Sequence, residues 1–187
     1  MYPDIIRRYW NYISIAILCL GAMVIWFTRL DPSMAANNQR PAPQQGFPAP
    51  NFTLQTLQGT ELTLSNQRGN PVLVNLWASW CGPCRAEMPA MQEIYEKYRE
   101  QGFTILAVNA TNQDSRNAAA DFVEEHQLTF PILLDTSGEV SDLYNLRSLP
   151  TSFFINADGI IEKVIIGGPM EVPTLEKNLK PLFQKGQ

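Results

Sequence analysis

Cys81 and Cys84, in Trp80-Cys81-Gly82-Pro83-Cys84, are the residues of this chain best suited to chemistry. At that spacing two sulfurs can close a disulfide within one turn, so oxidation need not refold the chain. The run before them, Val72-Leu73-Val74-Asn75-Leu76-Trp77-Ala78, is β-branched and aromatic and reads as a buried strand. Arg85-Ala86-Glu87-Met88 then begins a helical pattern. A strand that delivers two thiols to a helix start suits redox work, because unpaired N–H groups and a partial positive charge there favour a thiolate. Pro83 fits the first helical turn, where a missing N–H costs little, and Pro89 falls inside the helix. Cys81, nearest the strand end, is the expected nucleophile. Cys84, deeper in the helix, is the expected resolving thiol.

Other uses of the pair fit less well. Zinc needs about four ligands, and the chain offers only one further cysteine, Cys19, and one histidine, His126. No metal site and no cofactor are therefore expected. A purely structural disulfide closing so short a loop removes little chain entropy. A non-enzymatic copper-handling protein could use Cys81 and Cys84, but no His or Met cluster accompanies them.

The elements that must position the pair follow from periodicity. Of 187 residues, 45 % are hydrophobic and the formal charge is −4. Scattered basic residues leave no footprint for nucleic acid. Residues 13–27 carry no charge and, with their flanks, approach the ~20 residues that cross a bilayer. Tyr9, Trp10, Tyr12 and Trp26 suit its interfaces. Residues 1–30 thus read as a cytoplasmic N-terminus and single transmembrane anchor, with Cys19 as an apolar filler. A cleaved leader ending near Ser33-Met34-Ala35 is the alternative, opposed by Arg29, Asp31 and the long apolar core. Residues 31–50 hold five of the fourteen prolines and read as an extended tether. Residues 51–187 form the folded domain.

Within that domain, 52–54 and 62–64 read as a hairpin about Gly59. A helix over 82–101 follows the central strand, then a strand over 103–108 and a helix over 114–126 with Ala118, Phe122 and Val123 inward. A strand at 132–135, a short helix at 139–145, an antiparallel pair 153–155 and 160–166, and a helix over 173–183 complete the chain. The order predicts an α/β fold with a mixed central sheet and helices on both faces.

Trp77, Ala78, Trp80, the Cys-Gly-Pro-Cys core, Arg85, Glu87, Met88 and Pro89 together resemble thioredoxin-fold proteins. The Arg-x-Glu-Met-Pro ending is similar to the membrane-anchored TlpA/ResA branch of thiol:disulfide oxidoreductases, related to the AhpC/TSA and Redoxin proteins. The resemblance covers about residues 47–185 and includes Ser148-Leu149-Pro150-Thr151-Ser152-Phe153-Phe154-Ile155. It implies a thioredoxin-like fold in which Pro150 is cis and faces the sulfurs, while Leu149 and Thr151 offer backbone groups to an extended substrate. Trp80 would be an apolar platform, with Gly82 and Pro83 completing the site. Asn75 stands where cytoplasmic thioredoxins carry a buried acid. Asp114 reads as a helix N-cap, or as a substitute for a glutamate that some relatives carry nearby. Glu87 reads as an exposed helical charge and His126 as a surface residue.

The implied activity is reduction of protein disulfides outside the cytoplasm, for example during cytochrome c maturation. Protein thiol and disulfide substrates would be the partners, with a membrane electron donor of the CcdA/DsbD type. Gly82-Pro83 lacks the histidine of strongly oxidising relatives, which points to a reductant. Ala49-Pro50-Asn51-Phe52 also resembles peroxiredoxins. Their cysteine sits in a Thr-x-x-Cys context, whereas Ala78 stands at that threonine; this and the adjacent Cys84 argue against a peroxiredoxin-like peroxidase.

Overall fold

The computed structural model describes residues 17–20 and 39–183. Residues 17–20 are helical. The rest of the predicted anchor lies outside the described residues, among which no helix is long and apolar enough to cross a membrane.

The domain is built on a five-stranded sheet. Its elements are β1 (Thr53–Gln55), β2 (Glu61–Thr63), β3 (Val72–Trp77), α1 (Gly82–Tyr98), β4 (Thr104–Asn109), α2 (Arg116–Glu125), β5 (Ile132–Leu134), α3 (Glu139–Leu143), β6 (Thr151–Ile155), β7 (Ile161–Ile166) and α4 (Val172–Leu179). The strand order is β5-β4-β3-β6-β7, with β1 and β2 forming a separate antiparallel pair. β4 runs parallel to β3 and β5, whereas β6 is antiparallel to both β3 and β7. All six β3 residues are buried, as a central strand covered on both faces requires.

Alternation along β3 divides the core. Leu73 and Trp77 join Met88, Met91 and Ile94 of α1, Phe122 of α2 and Leu175 and Leu179 of α4 on one face. Val72, Val74 and Leu76 join Val108, Tyr144 and Phe153 on the other. Asn75 shares the pleat of Leu73 and Trp77 and so points towards α1. Ala119 and Phe122 are the buried residues of α2, and Ala118 is only half-buried, one position off the predicted stripe. β6 begins at Thr151, two residues earlier than expected, because Thr151 and Ser152 pair with Leu76 and Asn75.

The end of the predicted tether is folded onto the domain. Ala49 N–H donates to Gly159 O, Gly46 N–H to Ile161 O and Ile161 N–H to Phe47 O. Tyr144 Oη donates to Pro50 O at 2.7 Å. These contacts lie by the turn after Ile155, which pairs with Val72 at the start of β3. The cysteines follow its far end, roughly 20 Å away along six strand residues. The chain therefore enters the domain at the pole opposite the two sulfurs.

Candidate active site

Cys81 is the N-cap of α1, with extended backbone (φ −79°, ψ 109°), and its Sγ accepts a hydrogen bond from Cys84 N–H at 3.3 Å. Pro83 occupies the first turn without sacrificing a needed donor. Cys81 and Cys84 are joined by a disulfide. Cys81 retains 5 % exposure and Cys84 none, so an incoming molecule meets Cys81 first. After reduction, the same Cys84 N–H and the helix terminus would stabilise a thiolate on Cys81.

The loop ahead of Cys81 is held from three sides. The Asp114 carboxylate accepts from Ser79 N–H (2.6 Å), Ser79 Oγ (2.7 Å), Asn109 Nδ2 (2.8 Å) and Ser115 N–H (2.8 Å). Burial alone would raise its pKa, but these donors together hold it below the usual carboxylate value. Ser115, not Asp114, caps α2 by accepting from Ala118 N–H. Arg85 supports the loop from behind, donating to Ser79 O while its guanidinium lies 4.6 Å from the Phe122 ring centroid. Trp80 Nε1 donates to Gln113 O at 3.0 Å, leaving the indole 60 % exposed beside the disulfide.

Beneath Cys84 the site is closed and polar. Glu87, one turn further along α1, has no exposed surface, contrary to its reading as an exposed helical charge. The stripe of Cys84, Glu87, Met88 and Met91 is the inner face of α1. Glu87 Oε1 accepts from Asn75 Nδ2 at 2.8 Å, and Oε2 accepts from Met170 N–H at 3.1 Å. Asn75 Nδ2 also donates to Ser152 Oγ at 2.8 Å, while Asn75 Oδ1 is buried with no partner. Desolvation pushes the Glu87 carboxyl up to about 7, outweighing the hydrogen bonds from Asn75 and Met170 that favour its ionised form. The acid that β3 lacks at Asn75 is thus supplied by α1. Its three-residue spacing from Cys84 was the available signal.

Leu149-Pro150 is cis, and Gly167 N–H donates to Pro150 O. Gly168 packs against both Pro150 and Glu87: a Cβ there would stand 2.8 Å from Pro150 Cγ and 2.7 Å from Glu87 Oε2. Gly82, between the cysteines, has nothing within 4 Å of its Cβ position. An open groove of about 370 Å³ brings together Trp80, Cys81, Gly82, Pro83, Arg147 and Leu149. Thr151 is not part of it; this residue is buried in β6 with its hydroxyl donating to Ser148 O. His126 lies at the end of α2 with its ring 4.2 Å from that of Phe122, more packed than a free surface residue.

The sequence matches the AhpC/TSA family over residues 46–164. It is 41 % identical over 139 residues to the thiol-disulfide oxidoreductase ResA of Bacillus thuringiensis, covering 73 % of this chain and 78 % of that protein. Among solved structures, it is similar to a putative thiol:disulfide interchange protein DsbE from Chlorobium tepidum (TM-score 0.67, 32 % identity), covering 73 % of this chain and 95 % of that one. It is also similar to StoA from Bacillus subtilis (TM-score 0.61, 34 % identity), covering 69 % and 96 %. With its paired cysteines on a thioredoxin-like fold, this chain belongs to the AhpC/TSA family as a ResA-type thiol-disulfide oxidoreductase.

Proposed function

We propose that this enzyme is a reductant of protein disulfides, anchored by its N-terminal segment and working on the extracytoplasmic side of a membrane. The observation that carries the redox reading is the unequal burial of the two bonded sulfurs, with Cys81 at a groove and Cys84 above a carboxyl. In the reduced enzyme, Cys81 thiolate attacks one sulfur of a substrate disulfide. A Cys81–substrate bond forms, the substrate S–S bond breaks, and its second sulfur leaves as a thiolate. Cys84 then attacks Cys81 Sγ and expels the remaining substrate sulfur, so two electrons pass to the substrate and the enzyme disulfide re-forms. Glu87, titrating near neutrality one turn from Cys84, is placed to take the Cys84 proton as that thiol attacks.

The apolar stretch 13–27 supports the anchor. Maturation of c-type cytochromes is a fitting task, with a CcdA/DsbD-type membrane protein returning electrons to the pair. The test is the equilibrium potential of Cys81–Cys84 against glutathione, with fractionation of the full chain. A value near that of thioredoxin, roughly −270 mV, and recovery in carbonate-washed membranes are expected. A value near −120 mV, the strongly oxidising end, would contradict the reductant, and a soluble mature form would contradict the anchor.

A further inference from the structure

Arg147 sets the groove's only fixed charge. It lines the groove with Trp80, Cys81, Leu146 and Leu149. Its side chain enters none of the ion pairs among the described residues. Three charged residues around the cysteine pair are engaged elsewhere. Asp114 is saturated by Ser79, Asn109 and Ser115, and Arg85 is turned towards Ser79 O, Phe122 and Glu125. Glu87 is sealed beneath the disulfide. On a chain of formal charge −4, the rim beside Cys81 therefore presents an unpaired cation next to the apolar Trp80, Leu146 and Leu149.

We propose that Arg147 selects substrate disulfides whose reactive cysteine is flanked by an acidic residue, the remaining contacts being apolar ones to Trp80, Leu146 and Leu149. This rests on the exchange reading above and adds the substrate class. A peptide extended along the loop before Pro150, with its cysteine at Cys81, brings a neighbouring residue towards Arg147, which lines the same groove. A carboxylate there completes a charge-assisted pair at the groove edge. A lysine meets like charge and loses rate of encounter. The bond changes remain those of the exchange: Cys81–substrate S–S forms, substrate S–S breaks, and Cys84 closes the enzyme disulfide as two electrons reach the peptide.

The test uses the reduced full-length chain and short peptide disulfides that differ only by Glu, Gln or Lys beside the cysteine. At low salt the Glu peptide should be reduced about threefold to tenfold faster than the Lys peptide, a range set by the modest worth of exposed ion pairs. High salt should narrow the gap. Arg147→Glu should invert the order and Arg147→Gln should flatten it. Equal rates across the series, or an order that survives Arg147→Glu, would overturn the proposal. Failure to reduce any peptide would instead overturn the exchange reading, and this proposal with it.

Discussion

The two sides of the Cys81–Cys84 disulfide are made of different material. On the outer side, Trp80, Arg147 and Leu149 line an open groove, and the loop before Cys81 is fastened by Asp114 and Arg85. On the inner side, Glu87, Asn75 and Ser152 form a closed polar chain with no exposed carboxyl surface. An exposed site could not keep a carboxyl protonated near neutrality, and a sealed one could not admit a protein substrate. In the proposed exchange, the sulfur with residual exposure meets the substrate while the buried one exchanges a proton.

The largest expected effect comes from the inner side. The Glu87 pKa is raised from 4.5 to about 7 by burial, so between those values the folded chain holds a proton that the unfolded chain has lost. Native stability should therefore fall as pH rises through that window, by on the order of 3 kcal/mol in all. Glu87→Gln, which keeps the shape but cannot ionise, should flatten this slope in denaturant titrations. It should also change the pH dependence of disulfide exchange. Parallel stability profiles for the two proteins would mean that the inner side holds no titrating acid.

Glycine substitutions sharpen the contrast. Gly168→Ala forces a methyl group against Pro150 and Glu87 and should cost about 1–3 kcal/mol through overpacking. Gly82→Ala, at an open outer position, should leave thermal stability within about 0.5 kcal/mol of the parent. Equal losses at both positions would erase the distinction.

A smaller effect is expected where the outer loop is tied down. Asp114→Ala removes the acceptor for Ser79, Asn109 and Ser115 and should cost about 1–2 kcal/mol, since Ser79 and Asn109 are buried donors left without an acceptor. Its more telling consequence should be a several-fold slower exchange with protein disulfides, accompanied by a change in Trp80 fluorescence. Unchanged fluorescence and exchange would show that Asp114 does not position the loop.

The cysteine pair, the central strand and most helices are legible in the sequence because their signals are local. Thiol spacing, a β-branched run and a proline in a first helical turn need no knowledge of distant residues. Glu87 reads as exposed from the sequence because its setting is not local. Its partners are Asn75 on another element and the backbone of Met170, which reaches it only after β7 has returned beside β6. Asp114 has the composition of a helix cap, yet Ser115 takes that role and frees the carboxylate for Ser79 across the sheet end. Thr151 and Ser152 hid the start of β6 because polar residues mask a strand whose pairing is set by β3.

The division of labour between the sulfurs is tested most directly by trapping. Cys84→Ser in the full chain, mixed with a protein disulfide, should accumulate a covalent adduct through Cys81, visible as an added mass that dithiothreitol removes. Cys81→Ser should form no such adduct and show no turnover, because Cys84 has no exposed surface. An adduct on Cys84 in the Cys81→Ser protein, or full turnover by either variant, would contradict the assignment of Cys81 as nucleophile and Cys84 as resolving thiol.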